Sequence, residues 1–148
     1  MKILSPTVHG YLDYIYGAMF LLAPTLFDFV GTPATLCYVV GAAQIGLSLM
    51  TRYPLGAVKW LSFPAHGAYE FGVSILLIAS PWLFNFSTVE APRNFLVFAG
   101  ILLLGVWATT DYRRLAVDAS GTSDRFPRSS TTSTFPGVPG RPRPQDAA

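Results

Sequence analysis

Four stretches of the chain are apolar over about the length that crosses a bilayer, and short polar segments separate them. They run Tyr11 to Phe27, Pro33 to Met50, Gly67 to Phe84 and Asn94 to Thr110. A spanning helix takes about 20 mostly apolar residues, so the pattern predicts four transmembrane helices. The second and fourth stretches contain no charged side chain. Pro33 and Pro92 precede or open those two helices, where a missing N–H costs nothing. Pro24 and Pro81 fall near the ends of the first and third, where proline kinks or terminates a helix. Lys2 followed by the first apolar run resembles a secretory leader. The third stretch is its copy in mid-chain, so the first is read as retained.

That copy extends beyond hydropathy. Residues 2–29 align with residues 59–86 at an offset of 57 without a gap, pairing Lys2 with Lys59, Ser5 with Ser62, His9 with His66, Gly10 with Gly67, Pro24 with Pro81 and Phe29 with Phe86. Asp13 pairs with Glu70 and Tyr14 with Phe71. The offset then becomes 59, matching Pro33 with Pro92, Gly41 with Gly100, Gly46 with Gly105, Thr51 with Thr110 and Tyr53 with Tyr112. Apolar bias can match Leu with Leu, but not Lys, Ser, His, Gly and Pro at fixed spacing. Each unit, about residues 2–53 and 59–112, holds two spans, so both enter the membrane in the same direction. Parallel repeats of this kind are related by an approximate two-fold axis along the membrane normal. The fold expected is an all-α membrane protein, a pseudo-symmetric four-helix transmembrane domain over residues 1–114. Ala42, Gly46, Gly100 and Gly105 are expected at close helix contacts, with Gln44 hydrogen-bonding across helices.

Ser80-Pro81-Trp82, followed by Leu83-Phe84-Asn85-Phe86 and preceded by His66-Gly67 and Glu70, resembles the SPW-repeat family of small bacterial membrane proteins. The resemblance covers roughly residues 2–112. The first unit departs from it, with Ala23-Pro24-Thr25 in place of Ser-Pro-Trp, so the tryptophan is single-copy. The structural motif carried over is Pro24, Ser80, Pro81 and Trp82. The resemblance implies a multi-pass membrane protein and assigns no activity.

Composition agrees: about half the residues are apolar and 12% are charged, against about 25% in soluble domains. The single Cys37 excludes an intramolecular disulfide and a Cys-based zinc motif. A net charge of +2 without a basic stripe argues against nucleic-acid binding. Lys2, Arg52, Lys59, Arg113 and Arg114 fall on one side of the four spans and Arg93, beside Glu90, on the other. The positive-inside rule then places both termini in the cytoplasm. Tyr11, Tyr53, Trp60, Tyr69, Trp107 and Tyr112 would crowd the inner interface and Trp82 the outer one. Residues 115–148, rich in Ser, Thr, Pro and Gly, are expected to be disordered or extended. Their PGRPRPQ stretch reads as a linker before it reads as a Pro-rich ligand.

The ionisable residues carry the candidate chemistry. His9 with Asp13, and His66 with Glu70, are i, i+4 pairs on single helix faces, and the repeat brings them to equal depth near the cytoplasmic side. Intramembrane ionisable groups are costly and mark functional sites. Three readings are open. The four residues face headgroups or pair within their own helices; or they form a metal site, since imidazole and carboxylate suit iron, manganese or zinc, with haem ligation by His9 and His66 a variant; or they relay protons or ions. Met19 and Met50 are read as packing residues rather than copper ligands. No serine nucleophile has a recognisable His–Asp arrangement, and no phosphate-binding glycine fingerprint occurs, so no enzyme is indicated and no cofactor is required. The function expected is a structural or accessory component of a larger membrane complex, with the lipid bilayer and that complex as partners. Metal or haem binding and ion or proton translocation are the alternatives.

Overall fold

The structure, a computed structural model, describes residues 3–112. Lys2, Arg113, Arg114 and the tail expectation for residues 115–148 lie outside the described residues. Four helices follow in order: α1 (Pro6–Leu26), α2 (Thr32–Met50), α3 (Phe63–Leu83) and α4 (Glu90–Thr109). There are no strands among the described residues. α1 packs on α2 and α3 on α4 as two helical hairpins. Tyr16, Phe20, Cys37, Leu77, Leu96 and Leu103 from both hairpins form one buried apolar core.

α1, α3 and α4 start about a turn earlier than the apolar stretches alone suggest. The reason is local chemistry. Ser5 and Ser62 cap α1 and α3, each accepting a bond of 3.3 Å from the N–H three residues on, and Pro6 and Pro64 occupy the first turn. Those side-chain caps satisfy amide groups that a helix start otherwise leaves unpaired. Glu90 opens α4, where a carboxylate meets the positive end of the helix dipole.

The duplicated Pro–x–Leu–Phe–(Asp/Asn)–Phe segments are helix stops. Asp28 and Asn85 sit at φ 54° and 57°, the left-handed conformation that Asp and Asn tolerate better than other side chains. The amides of Phe29 and Phe86 then reach back to the carbonyls of Pro24 (3.0 Å) and Pro81 (2.9 Å), the bonding pattern of a Schellman ending. Both phenylalanines are buried in the core. Ser80 is buried and donates to the Leu77 carbonyl at 2.8 Å, whereas Trp82 is exposed. The motif is therefore a stop signal with one outward-facing aromatic ring.

The two units also exchange their ends. The amides of Ile3 and Leu4 bond the Thr109 carbonyl at 2.8 and 3.1 Å, and the Leu61 amide bonds the Met50 carbonyl at 2.8 Å. The segment entering each unit is thus stitched to the segment leaving the other. At the tight helix contacts, a Cβ added to Gly41 would lie 2.9 Å from the Gly17 carbonyl oxygen, and one on Gly100 2.8 Å from that of Ser74. Gly46 and Gly105 face open space and Ala42 is exposed, so these three do not make the contacts expected of them.

Candidate metal centre

α1 and α3 each carry a histidine at the end of their first turn and an acid one turn later, and Gly10 and Gly67 follow the histidines. Without a Cβ there, the rings of Tyr53 and Tyr112 lie directly on the helix backbones. Inward packing leaves His9, Asp13, His66 and Glu70 at most 2% exposed. They do not face headgroups, and they pair between helices as well as within them. Each histidine Nε2 lies beside one oxygen of each carboxylate: His9 at 3.4 Å from Asp13 Oδ1 and 3.3 Å from Glu70 Oε2, His66 at 3.3 Å from Asp13 Oδ2 and 3.5 Å from Glu70 Oε1.

The surrounding hydrogen bonds fix what these atoms are. Thr51 Oγ1 donates to the Leu47 carbonyl at 2.6 Å and Thr110 Oγ1 to that of Val106 at 2.7 Å. A hydroxyl has one hydrogen, so each threonine oxygen is left as an acceptor. His66 Nδ1 lies 2.9 Å from Thr51 Oγ1 and His9 Nδ1 3.0 Å from Thr110 Oγ1. Both Nδ1 atoms therefore carry a proton, and both Nε2 atoms point into the quartet. Neither Nε2 has a hydrogen-bond partner, because the nearby carboxylate oxygens lie out of line.

Each carboxylate oxygen, in turn, receives one donor from outside. Gln44 Nε2 reaches Asp13 Oδ1 at 3.1 Å and Glu70 Oε1 at 3.3 Å. Ser48 Oγ donates to Asp13 Oδ2 at 3.2 Å and Tyr112 to Glu70 Oε2 at 2.5 Å. All four carboxylate oxygens are thus hydrogen-bond acceptors. Burial, with the Glu70 charge beside it, pushes the Tyr112 phenol up, which keeps it a donor.

The two halves differ here for a simple reason. Asp13 is one methylene shorter than Glu70, and Tyr53, the counterpart of Tyr112, has a buried hydroxyl with no partner. Ser48 serves Asp13 instead. Its counterpart is Trp107, whose ring packs tilted against Phe71 at 4.8 Å.

A cation fits the centre chemically. In the forms that ligate a metal, two carboxylates and two imidazoles sum to −2, which one divalent ion neutralises. A tetrahedral ion with arms of about 2.1 Å has donor edges of about 3.4 Å; the four short N···O separations involve four different carboxylate oxygens, so both Nε2 atoms with one oxygen of each carboxylate share at most two of them. All four donors lie within 4.8 Å of one another, so a bound ion would draw the widest pair inward. Histidines that donate their other ring N–H outward are the usual form of metal-ligating imidazole. Haem does not fit, because Asp13 and Glu70 fill the space between the two imidazoles that a macrocycle would need.

A ring of aromatics covers the quartet. Phe63 lies 5.3 Å from His9 and 4.8 Å from Tyr112, and it stacks on Tyr53 at 5.9 Å. Tyr53 and Tyr112, expected at the interface, are buried in this lid. Tyr11, Trp60 and Trp82 do face outward. Sequence reasoning found the quartet but missed Thr51, Thr110, Ser48 and Tyr112 as its supports. Thr51 and Thr110 had a signal, an identical polar pair at equivalent repeat positions, and so did the Tyr53/Tyr112 pair. Ser48 had none.

A family model described as the SPW repeat domain matches residues 7–110. The chain belongs to the SPW repeat family. No curated protein and no solved structure matches it. α2 and α4 are long and apolar enough to cross a membrane, and with this family they make the chain a membrane protein.

Proposed function

We propose that this SPW repeat protein is a four-span membrane protein in which two parallel units enclose one divalent metal ion bound by His9, Asp13, His66 and Glu70. The observation that carries the reading is the pair of buried, inward-pointing Nε2 atoms, each 3.3–3.5 Å from one oxygen of each carboxylate yet hydrogen-bonded to neither. The donor set of two imidazoles and two carboxylates suits zinc, manganese or iron(II), and closed four-coordination favours zinc.

Four spans are supported by where the polar residues of α1 and α3 point. His9, Asp13, His66, Glu70, Ser74 and Ser80 are buried, while Tyr11, Ile15, Leu22, Phe71, Ile75 and Leu76 face outward. These two helices are less apolar than α2 and α4 because they carry the site inside, so their outer surfaces suit lipid. Each has 21 residues, about 31 Å at 1.5 Å per residue, which matches a hydrocarbon core of about 30 Å. Approximate two-fold symmetry is supported by the matched caps, the matched helix stops, the exchanged ends and the His–Thr bonds. Arg52 and Lys59 lie at the end opposite Arg93, which supports cytoplasmic termini.

The ion is structural in this reading. A catalytic site keeps an open coordination position, whereas structural sites are closed, and the quartet is at most 2% exposed. A closed site also suits a second reading, a structural or accessory component of a larger membrane complex. Ion translocation gains no support, since the quartet abuts an apolar core of Tyr16, Phe20, Leu77 and Leu103.

The test is elemental analysis of protein purified in mild detergent without added chelator. About one divalent ion per chain is expected, falling to background in a His9→Ala, His66→Ala double variant that still elutes as folded protein. Equal metal in the two proteins would sink the proposal.

A further inference from the structure

A groove of about 520 Å³ runs along α4 beside the end of α3, at the end of the helices away from the quartet. Its rim is charged and its wall is apolar. Arg93, in the first turn of α4, donates from Nε to Asn94 Oδ1 and from Nη1 to the Ser87 carbonyl, both at 3.0 Å. A guanidinium has five N–H groups; two are used here to hold it at the rim, and three remain. Arg93 makes no ion pair among the described residues, where the His–carboxylate pairs are confined to the quartet. Below it, Val97 and Ile101 follow at i+4 and i+8 on the same face, a run of about 12 Å along the axis. Phe98 and Ile101 are 67% and 55% exposed, and Trp82 flanks the rim at 59%.

We propose that this groove binds an anionic phospholipid of the leaflet at that end, with the headgroup phosphate on Arg93 and the upper part of one acyl chain along Val97, Phe98 and Ile101. Charge complementarity selects the headgroup: the guanidinium has no ion pair among the described residues, so a lipid with net negative charge pairs with it and a zwitterionic one brings its own cation. The exposed apolar wall selects a lipid over free phosphate. Trp82 lies where tryptophan ordinarily sits, at the boundary between headgroups and hydrocarbon. The first unit lacks the feature, since Ala34 and Thr25 stand where the second has Arg93 and Trp82. The single-copy tryptophan of the Ser-Pro-Trp motif thus has a role that the helix stop does not require. The inference rests on α4 spanning the membrane and is independent of the metal.

The experiment is native mass spectrometry of the full chain in mild detergent, offered phosphatidylglycerol or phosphatidylcholine. The unmodified protein should retain phosphatidylglycerol in preference. Arg93→Gln should reduce that preference about fivefold, the effect of one basic residue at an anionic surface, while Arg52→Gln at the opposite end leaves it unchanged. Trp82→Ala should weaken retention of both lipids. Both groove variants lie at the surface and should keep the metal content of the parent, so loss of metal reports on the other proposal and not on this one. Equal retention of the two lipids by the parent protein would overturn the assignment. So would an unchanged preference in Arg93→Gln, undiminished retention in Trp82→Ala, or displacement of the lipid by inorganic phosphate at the same concentration.

Discussion

His9 Nδ1 lies 3.0 Å from the hydroxyl oxygen of Thr110, 101 residues away in sequence. The Thr110 hydrogen is committed to the Val106 carbonyl, so the contact fixes which imidazole nitrogen is protonated and turns the other inward. His66 and Thr51 repeat the arrangement at 2.9 Å. Each repeat unit thus supplies the histidine whose tautomer the other end-segment sets.

Replacing both threonines by valine keeps their shape and removes the acceptors. The Thr51→Val, Thr110→Val variant should bind metal about 10- to 100-fold more weakly, the usual cost of losing a ligand's outer partner. Competition with a coloured chelator measures this. Affinity equal to the parent would mean that the threonines do not hold the imidazoles in their binding form.

The two tyrosines should respond in opposite ways. Tyr112→Phe removes the hydroxyl that donates to Glu70, and a bond to a charged group is worth about 1.5–3 kcal/mol. Tyr53→Phe removes a buried hydroxyl without a partner, so its effect on thermal stability should be neutral or slightly favourable. Unfolding midpoints in the same detergent decide it. Equal destabilisation by both would contradict the asymmetry traced to Asp13 being shorter than Glu70.

Much of this was legible before the structure. The four apolar stretches predict the four helices, and His9, Asp13, His66 and Glu70 are residues that the structure brings together. The helix starts were mis-set because apolar runs were counted and the Ser-Pro and Ser-Phe-Pro caps were not. The burial of the quartet is not legible in the same way: His9 lies in the first turn of α1, and it is Phe63 and Tyr112, packed over it from the other hairpin, that close it off. The Tyr53 and Tyr112 positions were beyond pattern reading. A tyrosine just past a span suits an interface belt equally well, and only the bare backbones at Gly10 and Gly67 draw these two inward.

Removing the ion should loosen the protein. A ligand present at 100 times its dissociation constant stabilises by about 2.7 kcal/mol, so a strong chelator should lower the unfolding midpoint of the parent by several degrees. The His9→Ala, His66→Ala variant should show no response. A chelator effect of the same size in both would place the ion elsewhere.

Glycine-to-alanine changes at the lid give a sharper test, because the nearer clash should do less harm. A Cβ on Gly10 would overlap the Tyr53 ring, while one on Gly67 would come within 2.7–2.9 Å of three Tyr112 ring atoms. Distance alone makes Gly10→Ala the worse change. Tyr53, however, has no hydrogen bond through its hydroxyl, and its ring can swing away without losing one. Tyr112 is tied to Glu70 at 2.5 Å and packed on Phe63, so moving it pulls on Glu70. Gly67→Ala should therefore cost about 1–3 kcal/mol, the range for overpacking, and weaken metal binding as well. Gly10→Ala should cost stability while leaving metal content near that of the parent. Metal loss in Gly10→Ala with retention in Gly67→Ala would reverse the assignment of Tyr112 as the tyrosine that holds the site.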